Sequence, residues 1–162
     1  MKKFNFSLTK LLMAAALVVS VITLTGCPKP TDPDASASIY GTWTSEYGEV
    51  FTITESTLSN GGAWGDCYAG DNLTVKTIDK KSGYIYIKYT RSANPDYTYS
   101  ETAPDVGKWY AVYYSNLTED SVTLSGAFKK GGKTSTETLE EAIEEFTVEN
   151  GYFAGSSECV KQ

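Results

Sequence analysis

The sequence contains no histidine and a single arginine, Arg91. Without histidine, Ser-His-Asp and Cys-His catalysis are excluded, and the commonest ligand of transition metals is absent. No glycine-rich phosphate loop follows a predicted strand, because Gly61-Gly62 and Gly131-Gly132 are typical of turns. The cysteines are too far apart for a zinc motif. We therefore expect a protein that is not an enzyme and holds neither a metal ion nor a cofactor.

Carboxylate pairs are the one catalytic chemistry that the composition leaves open, because glycosidases work with two carboxyl groups. The adjacent acids Glu140-Glu141 and Glu144-Glu145 lie on the polar face of a predicted helix, where solvated surface is the usual reading. An enzyme that uses carboxylates or tyrosines is therefore kept only as a third hypothesis.

Residues 1–26 have the pattern of a secretory signal peptide. Lys2, Lys3 and Lys10 precede the apolar run 11–24, which is shorter than the roughly 20 residues of a bilayer-spanning helix. The sequence Leu24-Thr25-Gly26-Cys27 resembles the lipobox of bacterial lipoproteins, where the chain is cut before the cysteine. The resemblance implies a diacylglycerol on the Cys27 thiol and an N-acyl chain on its amino group. The alternative is an ordinary signal peptide with an incidental cysteine.

Cleavage before Cys27 would leave an acidic protein behind a tether. The removed piece carries three lysines and no acid, so the formal net charge would change from −6 to −9. Such a charge argues against nucleic acid as a partner and leaves the acyl chains as the membrane attachment. Residues 27–38 are rich in proline, aspartate and small polar residues, which predicts a flexible tether, and 39–162 suffice for one domain.

The lipid anchor predicts a location in the cell envelope. Pro28 follows Cys27, whereas the inner-membrane retention signal of enteric bacteria has aspartate there. We therefore favour the outer membrane over the inner one.

Apolar residues alternate with period two through most of the domain, which predicts strands. The predicted strands cover 40–45, 50–54, 57–59, 73–78, 84–90, 108–115, 121–129 and 152–160, with 64–68 continuing the third and a weak strand near 97–100. Leu139, Ala142, Ile143 and Phe146 recur at helical spacing, so 137–145 is predicted to be one amphipathic helix. We predict an all-β fold with one C-terminal helix, an up-and-down antiparallel β-barrel; an open β-sandwich is the alternative.

Two resemblances follow from these motifs. Gly41-Thr42-Trp43 in the first strand resembles the Gly-x-Trp motif of lipocalins, whose chain also ends in a late helix and a final strand. The resemblance implies that Gly41 and Trp43 form the closed floor of the barrel. No arginine follows the last strand to stack on Trp43. The wider pattern, with KWYAVYY and TLEEAIEEF, resembles spirochaete (treponemal) lipoproteins, a resemblance that implies no activity.

Lipidation of Cys27 would leave Cys67 and Cys159 as the remaining cysteines. Export makes oxidation plausible, and lipocalins commonly tie a mid-barrel strand to the C-terminal segment, so a disulfide between these two is predicted. Two separate thiols are the alternative.

The chain is rich in aromatic residues, with 12 tyrosines and 3 tryptophans. The ordinary explanation is strand propensity and packing within the barrel. A sharper hypothesis is that Trp109 and Tyr113 share a face and form, with Tyr86, a pocket for a small apolar ligand. Our leading expectation is thus a non-catalytic lipoprotein that binds such a ligand. The second is an interaction or adhesion protein with a filled barrel, which uses acidic loops such as 92–107 to contact host or envelope proteins.

Overall fold

The computed structural model describes residues 37–162. The predicted signal peptide, the predicted lipidation site Cys27 and the predicted tether up to residue 36 therefore lie outside the described residues. The described elements are β1 (Gly41–Ser45), β2 (Glu49–Ile53), β3 (Leu58–Gly62), β4 (Gly65–Asp79), β5 (Ser82–Ala93), β6 (Tyr99–Ser100), β7 (Trp109–Ser115), β8 (Ser121–Gly126), α1 (Leu139–Glu145) and β9 (Ser157–Lys161).

Eight of the strands close into an antiparallel barrel. Each strand pairs with the next along the chain from β1 to β5, β5 then pairs with β7, and β9 closes the ring by pairing with both β8 and β1. The short β6 pairs only with the end of β5. The predicted up-and-down barrel with one late helix is confirmed, and the open sandwich is wrong, because β9 joins the two ends of the sheet.

The largest difference from the predicted elements is β4, which is one strand from Gly65 to Asp79. The sequence predicted two pieces, 64–68 and 73–78. The strand continues because its pairing with β5 absorbs irregularities between Ala69 and Gly70 and between Asp71 and Thr74. Asn72 lies between these last two, in the left-handed region at φ 51°. Bulges of this kind interrupt the alternation without ending the strand.

Side chains fill the inside of the barrel. Cross-strand partners share a face, so the register fixes which residues point inward. The inward apolar residues that are 8% exposed or less are Trp43, Phe51, Ile53, Leu58, Ile85, Ile87, Tyr89, Tyr110, Val112, Tyr114, Val122, Leu124 and Cys159. Every strand from β1 to β9 other than β4 and β6 contributes at least one of them, and β4 approaches closely at Gly70. An eight-stranded barrel is just wide enough for side chains to fill.

Strand direction gives the barrel two different ends. The tail end holds the start of the described chain and the turns 54–57, 80–81 and 116–120. The loop end holds the turns 46–48 and 63–64 and the long connections 94–108 and 127–156.

Trp43 lies toward the tail end of the barrel. Its ring is fully buried and its Nε1–H donates to the Ile39 carbonyl oxygen at 2.8 Å. The Lys161 Nζ lies 5.1 Å from the ring centroid, so a lysine of the last strand occupies the face of the tryptophan. Gly41 adjoins this contact, since a Cβ there would lie 2.9 Å from Lys161 Cε, and its φ of 145° disfavours other residues.

The helix α1 and its flanking segments cover the outer wall of β5 and β7. Thr138 caps the helix by accepting from the Glu141 N–H at 3.2 Å. Ala142 and Phe146 are fully buried. Tyr152 is buried as well, and its hydroxyl donates to Glu145 Oε1 at 2.5 Å. The wall beneath this segment is therefore shielded from water on both faces.

Candidate interaction site at the loop end

A polar cluster around Glu49 lies inside the barrel at the loop end. Glu49 opens β2 and shares the inward face with Phe51 and Ile53. Its Oε1 accepts from Asn60 Nδ2 at 2.9 Å, and its Oε2 accepts from the Ser157 hydroxyl at 2.5 Å. Both carboxylate oxygens of Glu49 therefore have a hydrogen-bond donor. The two hydrogen bonds connect β2 with β3 and with β9 at the loop end of the barrel.

Cys67 and Cys159 are free thiols in this structure, and the predicted disulfide is not formed. Cys159 is buried and its Sγ donates to the Ser157 carbonyl oxygen at 3.6 Å. Burial, and then the charge of Glu49, raises the pKa of Cys159 to about 11. Burial, Glu49 and Asp66 also raise the pKa of Cys67. Since the thiolate is the reactive form, burial and then the charge of Glu49 lower the reactivity of both cysteines.

Three tyrosines stack beneath this polar cluster. The Tyr89 and Tyr110 rings are stacked with centroids 4.8 Å apart, and the Tyr68 ring meets Tyr110 edge-on at 5.3 Å. Burial raises the pKa of each of the three hydroxyls above its usual value. They are therefore neutral at physiological pH and act as packing groups with a hydroxyl each.

Exposed aromatic side chains stand on the turns above. Tyr47 in the turn 46–48 is 73% exposed, Trp64 in the turn 63–64 is 67% exposed and Tyr97 in the turn before β6 is 88% exposed. Tyr99, in β6, is 40% exposed. We call these four side chains, Tyr47, Trp64, Tyr97 and Tyr99, the aromatic rim.

Backbone contacts and ion pairs bring the turns of the aromatic rim together. A Cβ on Gly62 would lie 2.6 Å from the Gly48 carbonyl oxygen, so the turns 46–48 and 63–64 pack backbone to backbone. The Arg91 guanidinium lies 3.9 Å from an Asp66 carboxylate oxygen and 3.7 Å from one of Glu101. These ion pairs tie the start of β4 to the segment after β6.

The turn that carries Tyr97 has a fixed geometry. The Tyr97 N–H donates to the Asn94 carbonyl oxygen at 2.9 Å, and the Thr98 N–H donates to Asp96 Oδ1 at 3.1 Å. Tyr97 has a φ of 66°, a left-handed conformation that is uncommon for a bulky residue. The turn therefore holds the most exposed ring of the aromatic rim in a strained conformation.

The three residues of the predicted ligand pocket, Tyr86, Trp109 and Tyr113, lie together on the outer wall of the barrel. Tyr86 and Trp109 lie on the outward face of β5 and β7, opposite to the inward residues Ile87 and Tyr110. Tyr113 contacts Phe153 of the covering segment, with ring centroids 5.6 Å apart. Burial raises the pKa of Tyr86 to about 12. The three side chains thus face the segment that covers the wall.

Two grooves also lie on the outside of the barrel. One of about 520 Å³ runs along β1, β8 and β9, lined by Thr44, Thr123 and Val160 among others. Another of about 460 Å³ runs along the outer face of β2 to β4 and reaches the loop end, with Asp66 and Arg91 on its border. Within residues 37–162, no group of three or more cysteine, aspartate and glutamate residues is arranged to hold a metal ion. The same residues include no helix long and apolar enough to cross a bilayer.

The sequence analysis did not single out Glu49 or the aromatic rim. A partial signal for the rim was present, since Tyr47 stands beside glycine between the predicted strands 40–45 and 50–54, where polar residues are usual, whereas Trp64 and Tyr97 fall in segments that were predicted as strand.

Comparisons of the chain with protein-family models, with curated proteins and with solved structures gave no match. The lipoprotein and lipocalin resemblances therefore stay predictions from the sequence.

Proposed function

We propose that the protein is a lipid-anchored lipoprotein of the cell envelope that acts without catalysis, through contacts made by the outside of a filled barrel. The observation that supports this most strongly is the packed interior. Inward side chains from seven strands occupy the space in which a barrel protein would hold a ligand. The accessible features, the aromatic rim and the two grooves, are all on the surface.

The alternative of a small apolar ligand has less support. Tyr86, Trp109 and Tyr113 would form its pocket, yet the first is almost fully buried and the last packs on Phe153. A ligand there would have to displace the segment that covers the outer wall.

The proposal of a non-catalytic protein rests on the roles of the helix acids. Glu141 accepts from the Glu137 N–H at 3.1 Å, and Glu145 accepts from the Tyr152 hydroxyl. Glu141 stabilises the start of the helix, as the acid of a capping box does, and Glu145 fastens the end of the helix to Tyr152.

Anchoring through Cys27 is the part of the proposal that can be tested first. Each buried methylene contributes about 0.8 kcal/mol, so two or more acyl chains hold a protein on a membrane stably. In the native host supplied with labelled palmitate, the wild type should take up label and sediment with membranes, and Cys27→Ser should do neither. Cys67→Ser is the matched control and should behave as wild type. Membrane-bound Cys27→Ser, or an unlabelled wild type, would contradict the proposal.

A further inference from the structure

The aromatic rim concentrates exposed aromatic surface at one end of the barrel. Single exposed apolar residues are ordinary, but a group of them on adjoining turns marks an interaction site. Tyrosine and tryptophan are also the residues that most often dominate binding energy at protein interfaces. The position matters as well, because the described chain starts at the opposite, tail end. A partner bound here lies at the far end of the domain from residue 37, where the described chain starts.

The stretches that carry the aromatic rim have a negative net charge. The stretches 46–48, 63–66 and 94–101, which carry the rim, include Glu46, Asp66, Asp96 and Glu101 and no lysine or arginine. The nearby Arg91 is shared between Asp66 and Glu101. Hydrogen bonds from the Thr98 hydroxyl and N–H lower the pKa of Asp96, so this carboxylate is ionised at neutral pH.

The surroundings of Tyr47 show how close the rings and the carboxylates are. A hydrogen bond and the negative charge of Glu46, with a smaller effect of Glu158 on β9, raise the pKa of Tyr47. Its hydroxyl therefore stays neutral and its ring stands beside carboxylates. Aromatic faces and carboxylates both attract cations, and a ring–cation contact contributes about 0.5–2 kcal/mol.

We propose that the aromatic rim is the docking site for a basic segment of a protein partner, one that carries lysine or arginine side chains. This inference rests on the proposed function, in which the outside of the barrel makes the contacts. Lysine and arginine suit the rim because their apolar stems cover aromatic surface while their charged ends meet the acids. The negative potential disfavours nucleic acid and anionic lipid headgroups, whose charges are of the same sign.

The groove of about 460 Å³ favours a polypeptide over a small cation. It leads away from the aromatic rim along the outer face of β2 to β4, lined by Val50, Thr52 and Ala69, with Asp66 at the border. An extended segment anchored at Trp64 could therefore continue down the barrel wall, with alternate side chains toward the groove.

The test uses the full lipidated chain in detergent micelles and two short labelled peptides, one of alternating lysine and alanine, the other of alternating glutamate and alanine. Binding is followed by fluorescence anisotropy in low and high salt. We expect binding of the lysine peptide alone, weakened by salt because the charges are exposed. The double variant Trp64→Ala/Tyr97→Ala should lose about tenfold or more in affinity, the loss typical of an aromatic anchor. Asp96→Asn/Glu46→Gln should weaken binding and reduce its salt dependence.

Two variants serve as matched controls. Phe128→Ala removes another exposed aromatic ring, which lies beside lysines, and Glu119→Gln removes an exposed acid at the tail end. Both should bind the lysine peptide as the wild type does. The inference is overturned if neither peptide binds, if both bind equally, or if Phe128→Ala loses as much as the double variant. It is also overturned if the rim variants lose binding to a neutral polysaccharide or to zwitterionic vesicles and not to the peptide.

Membrane fractionation of the same variants separates this inference from the proposed function. The rim variants should remain in the membrane fraction. If the wild type is anchored to membranes but does not bind the lysine peptide, only the proposal of a basic partner is rejected. If Cys27→Ser loses its membrane anchoring but binds the peptide as the wild type does, the rim proposal stands.

Discussion

Gly70→Ala adds one methyl group to the inside of the barrel and so measures how completely the interior is filled. Gly70 lies on β4, opposite Tyr89 of β5 and Leu58 of β3. A Cβ there would lie 2.7 Å from the Lys88 carbonyl oxygen and 2.8 Å from both Cβ and Cδ1 of Ile87. These distances are far below van der Waals contact, and one neighbour is backbone, which cannot rotate away.

The expected cost of Gly70→Ala is about 1–3 kcal/mol, the usual penalty for extra methylenes in a packed core. A domain of this size loses roughly 3–6 °C of melting temperature per kcal/mol, so the midpoint should fall by about 3–18 °C. Urea unfolding followed by near-ultraviolet circular dichroism, with an unchanged m-value, gives the free energy of unfolding directly. The matched control is Gly155→Ala, where nothing lies within 4 Å of the added Cβ and stability should be unchanged.

A Gly70→Ala protein as stable as the wild type would refute the reasoning. The barrel interior would then contain unfilled space near Gly70, and the hypothesis of a ligand inside the barrel would regain support.

Three further results are expected. Trp43→Ala should destabilise the protein by about 3–5 kcal/mol in urea unfolding, because it empties the tail end of the barrel, and a loss under 1 kcal/mol would remove Trp43 from that role. Tyr152→Phe should cost about 1.5–3 kcal/mol at pH 7, the value of a hydrogen bond to a charged group. Because the Tyr152 hydrogen bond lowers the pKa of Glu145, that stability is present above the unfolded pKa and is lost as pH falls through the folded one. The difference between Tyr152→Phe and wild type should therefore shrink in acid below pH ~4.5 and stay constant from pH 6 to 8; a gap that widened in acid would contradict the sign. Finally, Cys67 should react with a thiol reagent at pH 8 before Cys159 does, and Cys159 should resist the reagent until the protein unfolds. An intact mass that rises by about 2 Da on reduction would contradict this, because it would show a disulfide instead of two thiols.

The barrel could be predicted from the sequence because apolar residues that alternate with period two indicate which face of a strand is buried. It also located α1, where 137–145 was predicted and Leu139–Glu145 is observed. The continuity of β4 was missed because bulges near Gly70 and Asn72 break the alternation that defines a strand. The predicted strand 121–129 was too long, because β8 ends at Gly126 and the Phe128 ring beyond it is exposed.

The direction of the predicted pocket residues could not be read from alternation. Both faces of β5 and β7 are buried, one by the barrel core and the other by the segment 127–156. Period two places Trp109 with Tyr113, and it does not say whether their common face is the inner or the outer one.

The aromatic rim depends on barrel closure, which no local pattern records. Tyr47, Trp64 and Tyr97 are distant in sequence and meet only because strand direction puts their turns at one end. The contact between Gly62 and Gly48 comes from the pairing of β2 with β3.

Native mass spectrometry of the protein purified from its own host tests the central claim, a lipid-anchored domain with a filled barrel, most directly. The expected mass is that of residues 27–162 with acyl chains on Cys27 and no bound small molecule. A stoichiometric small molecule that leaves only on unfolding, or a chain without acylation, would contradict it.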